Sequence, residues 1–286
     1  MIKKIKSNAK INIGLNIKGK LSNGYHLLDM IMAPITLSDE IEIDFTGDPG
    51  TLIIKTNRED IPIGKENILY KVYEAFYNKT GIANQNIELY LEKKIPHQAG
   101  LGGGSSNGGA FLKELNLYHG NPLSLEEMVD ISKGIGADIP FFLVNKTCRI
   151  NGIGEKLQIK ENNLECDILL IKPPFGVSTG KAYNDFSKLE NKKDANIEKI
   201  LEGLKENKLS DVLNNIENHL EQALLIENED LRSFKKFLDS LKFTDFFMSG
   251  SGSAYFSLVE KKNSREVYSN LKGLLEGCEV YLCSFS

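Results

Sequence analysis

Lys10 and Asn12 stand two residues apart in Ser7-Asn-Ala-Lys-Ile-Asn12, and Asp138 follows a glycine in Gly136-Ala-Asp-Ile-Pro-Phe-Phe142. Between them runs Gly100-Leu-Gly-Gly-Gly-Ser-Ser-Asn-Gly-Gly109. A lysine neutralises a phosphoryl group in flight, an aspartate orients a hydroxyl and takes its proton, and glycines let backbone amides close on phosphate oxygens. Together these residue types point to phosphoryl transfer. Taken singly they have plainer readings: Asp138 as a cap after a helix, Lys10 as an exposed strand lysine, and the glycines as a flexible turn or a close helix contact.

The elements around these residues decide how they are presented. Ile11, Ile13, Leu15 and Ile17 alternate with Lys10, Asn12, Gly14 and Asn16, the period of a half-buried strand, so Lys10 and Asn12 share one face. Asn23-Gly24 signals a turn, and Leu27 to Leu37 and Glu40 to Phe45 continue an antiparallel β region. A helix follows from Asn67 to Lys79, closed by Gly81. Ile87, Leu89 and Leu91 mark a strand that leads through Pro96 into the glycine cluster, and Ala110, Phe111 and Leu115 mark a helix after it.

A glycine loop between strand and helix is an anion site, because the first amides of a helix lack intrahelical acceptors and sit at the positive end of its dipole. Ser105 and Ser106 can cap that helix or donate to phosphate. The loop fits neither the P-loop pattern nor Gly-x-Gly-x-x-Gly, so it argues for phosphate without naming a fold. Ser124-Leu-Glu-Glu127 is a capping box opening another helix, which Gly134 and Gly136 end, leaving Asp138 in a loop. Met248-Ser-Gly-Ser-Gly-Ser253 interrupts a strand-like stretch as a tight turn. A second lobe begins near residue 150, with a helix-rich middle over Ala195 to Leu241 and closing strands at Phe246 to Glu260 and Glu279 to Phe285. Glu190 to Lys193 reads as solvated linker. The irregular alternation of strands and helices favours an α+β fold over a doubly wound sheet.

Composition narrows the class. The 286 residues suffice for two cores, and 41% hydrophobic with 26% charged residues is ordinary for a folded globular chain. A net charge of −4 without a basic stripe argues against a nucleic-acid partner. The basic start is broken by Asn8, Lys10 and Asn12 before an apolar signal core forms, and no apolar run reaches membrane-spanning length. Cys148, Cys166, Cys278 and Cys283 show no metal spacing and read as reduced thiols, and His97, His119 and His219 form no zinc pattern. The expectation is a cytosolic protein.

Three runs in this order, Ser7 to Asn12, Pro96 to Asn107 and Met248 to Ala254, resemble the hallmarks of the GHMP kinase superfamily and span almost the whole chain. Within it, Ala9-Lys-Ile-Asn-Ile-Gly-Leu15, Asn23-Gly-Tyr-His26, Gly136 to Phe142 and Val177-Ser-Thr-Gly-Lys-Ala-Tyr183 resemble the kinases whose acceptor is 4-diphosphocytidyl-2-C-methyl-D-erythritol. Gly108-Gly109 departs from the alanine pair common in that family, at about 1 kcal/mol of helix propensity per glycine.

The resemblance implies an N-terminal lobe like ribosomal protein S5 domain 2 over 1–150, carrying the ATP phosphate loop, and a ferredoxin-like α/β lobe over 151–286. It implies Lys10 and Asp138 as catalytic residues, with Asp138 taking the proton of the 2-hydroxyl and Lys10 beside the transferred phosphoryl group. Asn12, Tyr25, His26, Thr179 and Tyr183 are implied to bind substrate, with the aromatic rings of Tyr25 and Tyr183 sandwiching cytosine and His26 reading its polar edge. Pro96, His97, Gln98, Ala99, Gly100, Leu101, Gly102, Gly103, Gly104, Ser105 and Ser106 are implied to hold ATP, with Mg²⁺ and no assigned protein ligand for it. Asn67 is a weak candidate for the adenine. The expected state is a monomer or weak homodimer, with no membrane or nucleic-acid partner.

Overall fold

A computed structural model describes residues 2–22 and 24–286. Asn23, the first residue of the expected Asn-Gly turn, lies outside them. In chain order the elements are β1 (Ile2–Lys20), β2 (His26–Pro49), β3 (Leu52–Thr56), α1 (Ile68–Thr80), β4 (Gln85–Glu92), α2 (Gly103–Tyr118), α3 (Leu125–Ser132), α4 (Ile139–Val144), β5 (Cys148–Gly152) and β6 (Lys156–Ile159). There follow β7 (Asp167–Lys172), α5 (Thr179–Phe186), α6 (Ile197–Glu206), α7 (Leu209–Leu213), α8 (His219–Glu227), α9 (Glu229–Ser240), β8 (Phe247–Met248), β9 (Tyr255–Val259), α10 (Lys261–Leu274) and β10 (Glu279–Cys283). Contacts gather the chain into two compact units, the first from Met1–Ala9, Leu37–Ile95 and Gly102–Asn145, the second from Lys10–Thr36, Pro96–Leu101 and Lys146–Ser286.

In the first unit β3 and β4 run parallel, from Leu52 opposite Ile87 to Thr56 opposite Leu91, joined through α1. A parallel pair requires such a crossover, and β3 is a strand the alternation pattern did not announce. β4 also pairs antiparallel with the second half of β2, Ile41 opposite Leu91 and Ile43 opposite Leu89. The inward residues of these strands meet Val72 and Phe76 of α1 and Phe111, Leu112 and Leu115 of α2 in one apolar core.

Helix α1 starts and stops where expected. Asn67 Oδ1 accepts the Leu69 N–H at 2.9 Å, and Gly81, at φ 67°, returns its N–H to the Tyr77 carbonyl. The Asn67 side chain is thereby committed to the cap, and its Nδ2 donates to the Pro62 carbonyl at 2.6 Å. The glycine pair in α2 also has a reason. A methyl on Gly109 would lie 2.8 Å from Phe142 Cβ, and one on Gly108 2.6 Å from Ile68 Cγ2, so helix propensity is given up for close packing against α4 and α1.

The second unit holds a four-stranded antiparallel sheet in the order β10-β7-β9-β8, with Ile168 to Ile171 of β7 buried throughout. β8 and β9 form the expected hairpin about the second glycine cluster, Met248 opposite Tyr255. The first half of β2 pairs with β5, and β5 with β6. None of the four cysteines is in a disulfide. No helix among the described residues is long and apolar enough to cross a membrane.

One local expectation is corrected and another refined. The strand through Ile11 is not half-buried: in β1 every residue from Ala9 to Ile17 is buried. Its polar face stays dry because each polar side chain finds a partner; Asn16 Nδ2 donates to the Ala195 carbonyl at 2.9 Å while its Oδ1 accepts the Ala195 N–H at 2.8 Å. Asp138 lies in a turn as expected, but that turn is also the N-cap of a helix, α4, that was not expected. Pro140 concealed that helix from the sequence reading, yet proline in the first turn removes only an N–H with no intrahelical use.

Candidate active site

The second unit gathers Lys10, Asn12, the start of the glycine loop and the second glycine cluster. Lys10 Nζ donates to Asn12 Oδ1 and to the Gly100 carbonyl, both at 2.6 Å, and the Lys10 N–H donates to the Leu101 carbonyl at 3.0 Å. Ser249 Oγ donates to the same Gly100 carbonyl at 3.1 Å and accepts the Asn12 N–H at 3.3 Å. Lys10 and Asn12 are 4% and 2% exposed, so the strand lysine is a buried ammonium held by oxygen acceptors, the state in which its charge acts with least screening. Only glycine fits at position 100. Its φ is +72°, and a Cβ there would lie 2.0 Å from the Ser249 carbonyl oxygen.

The loop's register against the second cluster is set by backbone. The Ser253 N–H donates to the Gln98 carbonyl at 3.2 Å and the Ala254 N–H to the Ala99 carbonyl at 3.1 Å. Pro96 is buried, while His97 and Gln98 are exposed. In the first unit the loop continues as the start of α2, with Gly102 in the left-handed region as N-cap and Ser106 N–H closing the first helical bond to the Gly102 carbonyl at 2.8 Å. The amides of Gly103, Gly104 and Ser105 precede that bond and so have no intrahelical acceptor, which suits them to an anion. Ser106 is buried, its hydroxyl donating to the Asn8 carbonyl at 2.6 Å, whereas Ser105 remains half-exposed at the loop.

A charge cluster lies beneath this turn within the same unit. Asp39, fully buried, accepts from Lys93 Nζ, from the Lys94 and Ile95 N–H groups at 2.7 and 2.8 Å, and from Asn107 Nδ2 at 2.8 Å. A Cβ on Gly103 would lie 3.2 Å from Lys93 Nζ. The cation raises the positive potential at the helix start, and Asp39 offsets the cost of burying it. Asp138 belongs to this unit too. It begins α4 with φ −91° and ψ −5°, its carbonyl accepting the Phe142 N–H at 3.3 Å, and its side chain makes no capping bond.

The aromatic cluster of the second unit forms between the start of β2 and α5. His26 stacks on Tyr183 with centroids 5.0 Å apart and 24° between planes, Phe186 meets His26 edge-on at 6.1 Å, and Tyr25 is 59% exposed. Burial, and then Lys20, hold His26 below the ordinary imidazole range, so at neutral pH its ring offers one donor and one acceptor. Thr179 Oγ1 and Ser251 Oγ are 2.9 Å apart, tying α5 to the second glycine cluster. Phe186 follows Tyr183 by three residues on α5, a helical spacing that would have flagged it.

Glu221 is the site-adjacent residue the sequence reading missed. Its Oε2 accepts the Met248 N–H at 3.0 Å, and its Oε1 and the Tyr255 hydroxyl find no hydrogen-bond partner among the described residues. Burial pushes the Glu221 carboxyl up to about 7, opposed by the Met248 N–H and the Lys235 charge and aided by Glu217 and Asp239. A carboxyl that ionises near 4.5 when unfolded and about 7 when folded holds its proton more tightly in the native state. Its contribution to stability is therefore complete below the unfolded value and falls as pH climbs through the folded one. Glu221→Gln keeps an acceptor for Met248 and cannot ionise. Between pH 5 and pH 8 the variant is expected to gain on the parent by up to about 3 kcal/mol. Denaturant titrations at the two pH values check this, and an equal difference at both would contradict it.

Among the described residues no three His, Cys, Asp or Glu side chains are grouped to hold a metal. The arrangement can bind phosphate at a helix start and a flat polar ring beside His26.

Residues 67–146 match the family described as the GHMP kinases N terminal domain. A protein of Fusobacterium nucleatum named 4-diphosphocytidyl-2-C-methyl-D-erythritol kinase is 44% identical over 282 residues, covering 98% of this chain and 96% of that one. One of the same name from Carboxydothermus hydrogenoformans is 39% identical over 266 residues, covering 92% and 91%. Among solved structures, a 4-(cytidine 5'-diphospho)-2C-methyl-D-erythritol kinase superposes with a TM-score of 0.80 at 26% identity, covering 99% of this chain and all of that one. The homoserine kinase of Cytophaga hutchinsonii shares the fold, with a TM-score of 0.74 at 17% identity and 99% and 95% coverage.

Proposed function

Since the chain belongs to the GHMP kinases and, within them, to the 4-diphosphocytidyl-2-C-methyl-D-erythritol kinase family, we propose that it moves the γ-phosphoryl group of ATP to the 2-hydroxyl of 4-diphosphocytidyl-2-C-methyl-D-erythritol. The products are the 2-phosphate and ADP, in the non-mevalonate (methylerythritol phosphate) route to isoprenoid precursors. The observation that carries the reading is Lys10, a buried ammonium bonded to the Gly100 carbonyl of the glycine loop.

In this reading Asp138 orients the 2-hydroxyl and accepts its proton as the alcohol oxygen attacks the γ-phosphorus and ADP departs. Lys10 offsets charge on the phosphoryl group in transfer, and Asn12 fixes the lysine head through Oδ1. The amides at the start of α2 hold the phosphates, with residues 96–106 as the ATP loop. Mg²⁺ would enter with ATP; Ser105, a half-exposed hydroxyl at that loop, would be a protein oxygen of suitable hardness to hold it, and the ion would supply charge neutralisation. Tyr25, His26 and Tyr183 take the cytosine, and Thr179 contributes a hydroxyl to the substrate. With them go lobes divided near residue 150, a cytoplasmic location, a monomeric or weakly dimeric state and no nucleic-acid or membrane partner.

A coupled ADP-release assay tests the whole. Turnover is expected with 4-diphosphocytidyl-2-C-methyl-D-erythritol, inhibited competitively by CDP and CMP. Turnover with homoserine or mevalonate instead, insensitive to CDP, would point to another GHMP kinase; ATP binding without transfer to any alcohol would remove the enzymatic reading.

A further inference from the structure

The second glycine cluster carries no catalytic group of its own, yet it abuts several. A Cβ on Gly250 would lie 3.0 Å from Asn12 Oδ1 and 3.1 Å from Lys10 Nζ. Ser249 bridges Asn12 and the Gly100 carbonyl, and Ser251 meets Thr179. A loop of alternating serine and glycine has many backbone conformations to choose from, so something outside it must hold one.

That hold comes from the first turn of α8. Asn218, 3% exposed, donates through Nδ2 to the Met248 carbonyl at 2.9 Å and to the Gly250 carbonyl at 2.8 Å. Its Oδ1 caps α8, accepting the Leu220 N–H at 2.9 Å and the Glu221 N–H at 3.4 Å. Two donors and two lone pairs are the full capacity of the amide. Glu221, one turn on, takes the Met248 N–H, and the Leu15 N–H donates to the Glu217 carbonyl at 2.9 Å, fastening the entry of α8 to the strand that bears Lys10 and Asn12. A capping asparagine needs only its oxygen. The two amide bonds to the loop are surplus to capping and address the carbonyls on either side of Ser249.

We propose that Asn218 is a positioning residue for phosphoryl transfer: its amide locks the 248–250 backbone so that Ser249 and Gly250 confine the Lys10 ammonium and Asn12 in their working geometry. This rests on the kinase reading above. Misplacement of a reacting group by about 1 Å costs on the order of 100-fold in rate, so loss of the lock acts on kcat.

The test compares Asn218→Ser, which retains an oxygen for the cap and removes both amide donors, with Asn228→Ala, which strips the cap of α9, where Asn228 Oδ1 accepts the Leu231 N–H at 3.0 Å. Both are expected to lower the melting temperature. Asn218→Ser alone is expected to lower kcat by about 10- to 100-fold, with KM for ATP within about threefold of the parent. If the parent turns over and Asn218→Ser keeps kcat within about twofold, or if Asn228→Ala loses as much, the positioning role is wrong; if the parent itself shows no turnover, the kinase reading fails first. Should Asn218→Ser not fold, Asn218→Asp carries the same test: it is isosteric, keeps an oxygen for the α8 cap and removes both amide donors, so kcat is expected to fall at least about fivefold, and an unchanged kcat overturns the proposal.

Discussion

Asp138→Asn is expected to fold, to bind ATP as well as the parent, and to turn over about 100- to 10,000-fold more slowly. The reasoning starts from what holds residue 138 in place. Its backbone begins α4, its carbonyl takes the Phe142 N–H, and Ile139, Pro140, Phe141 and Phe142 after it are all buried. These backbone and packing contacts do not use the carboxylate, which does not cap the helix, so an isosteric amide keeps them. What asparagine removes is the ability to accept a proton from the substrate hydroxyl, which general-base catalysis makes worth about 100- to 10,000-fold. Single-turnover rates with excess enzyme separate the chemical step from release. A variant with the parent's kcat would transfer the role of base to another group.

The second large effect belongs to Lys10→Met. Methionine matches the length of the lysine stem but brings neither charge nor donors, leaving Asn12 Oδ1 without the bond from Nζ and the Gly100 carbonyl with Ser249 Oγ. Losing a preorganised donor to developing charge costs about 100- to 1000-fold in kcat, and leaving a buried acceptor underused costs about 1–3 kcal/mol of stability. The expected result is a folded protein with a lower melting temperature, a kcat reduced about 1000-fold and competitive CDP binding unchanged. CDP affinity distinguishes the two losses, since a collapsed site would weaken it along with kcat. Lys10→Arg should not restore activity. Gly250 closes on the ammonium so tightly that a methyl there would sit 3.1 Å from Nζ, and a guanidinium is wider.

Several features were legible in the residues because they depend on near neighbours. The caps of α1 at Asn67 and Gly81, the capping box at Ser124 and Glu127, and the helix after the glycine loop all formed where local spacing placed them. Others were not. The short α4 was concealed by Pro140, and β2 runs without a break through Leu37 to Glu40, where the pattern suggested two strands. Asn218-x-x-Glu221 has the spacing of a capping box, yet Glu221 turns to the Met248 N–H. An i,i+3 rule cannot anticipate a partner from another part of the chain.

The sequence alone determined the order of motifs, the α+β class, the family, and the residue types able to transfer a phosphoryl group. The order, class and residue types follow from periodicity and turn chemistry, properties of adjacent residues, and the family from the resemblance of the quoted runs. Tertiary structure decided the state of each group. It buried the polar face of β1, made Lys10 a desolvated ammonium, stacked His26 on Tyr183, and gave Gly108 and Gly109 a packing reason. The cause is that burial and hydrogen bonding are settled by whichever segments fold back onto a residue. Asn12 meets Ser249 across 237 residues of chain, and no local pattern encodes so distant a contact.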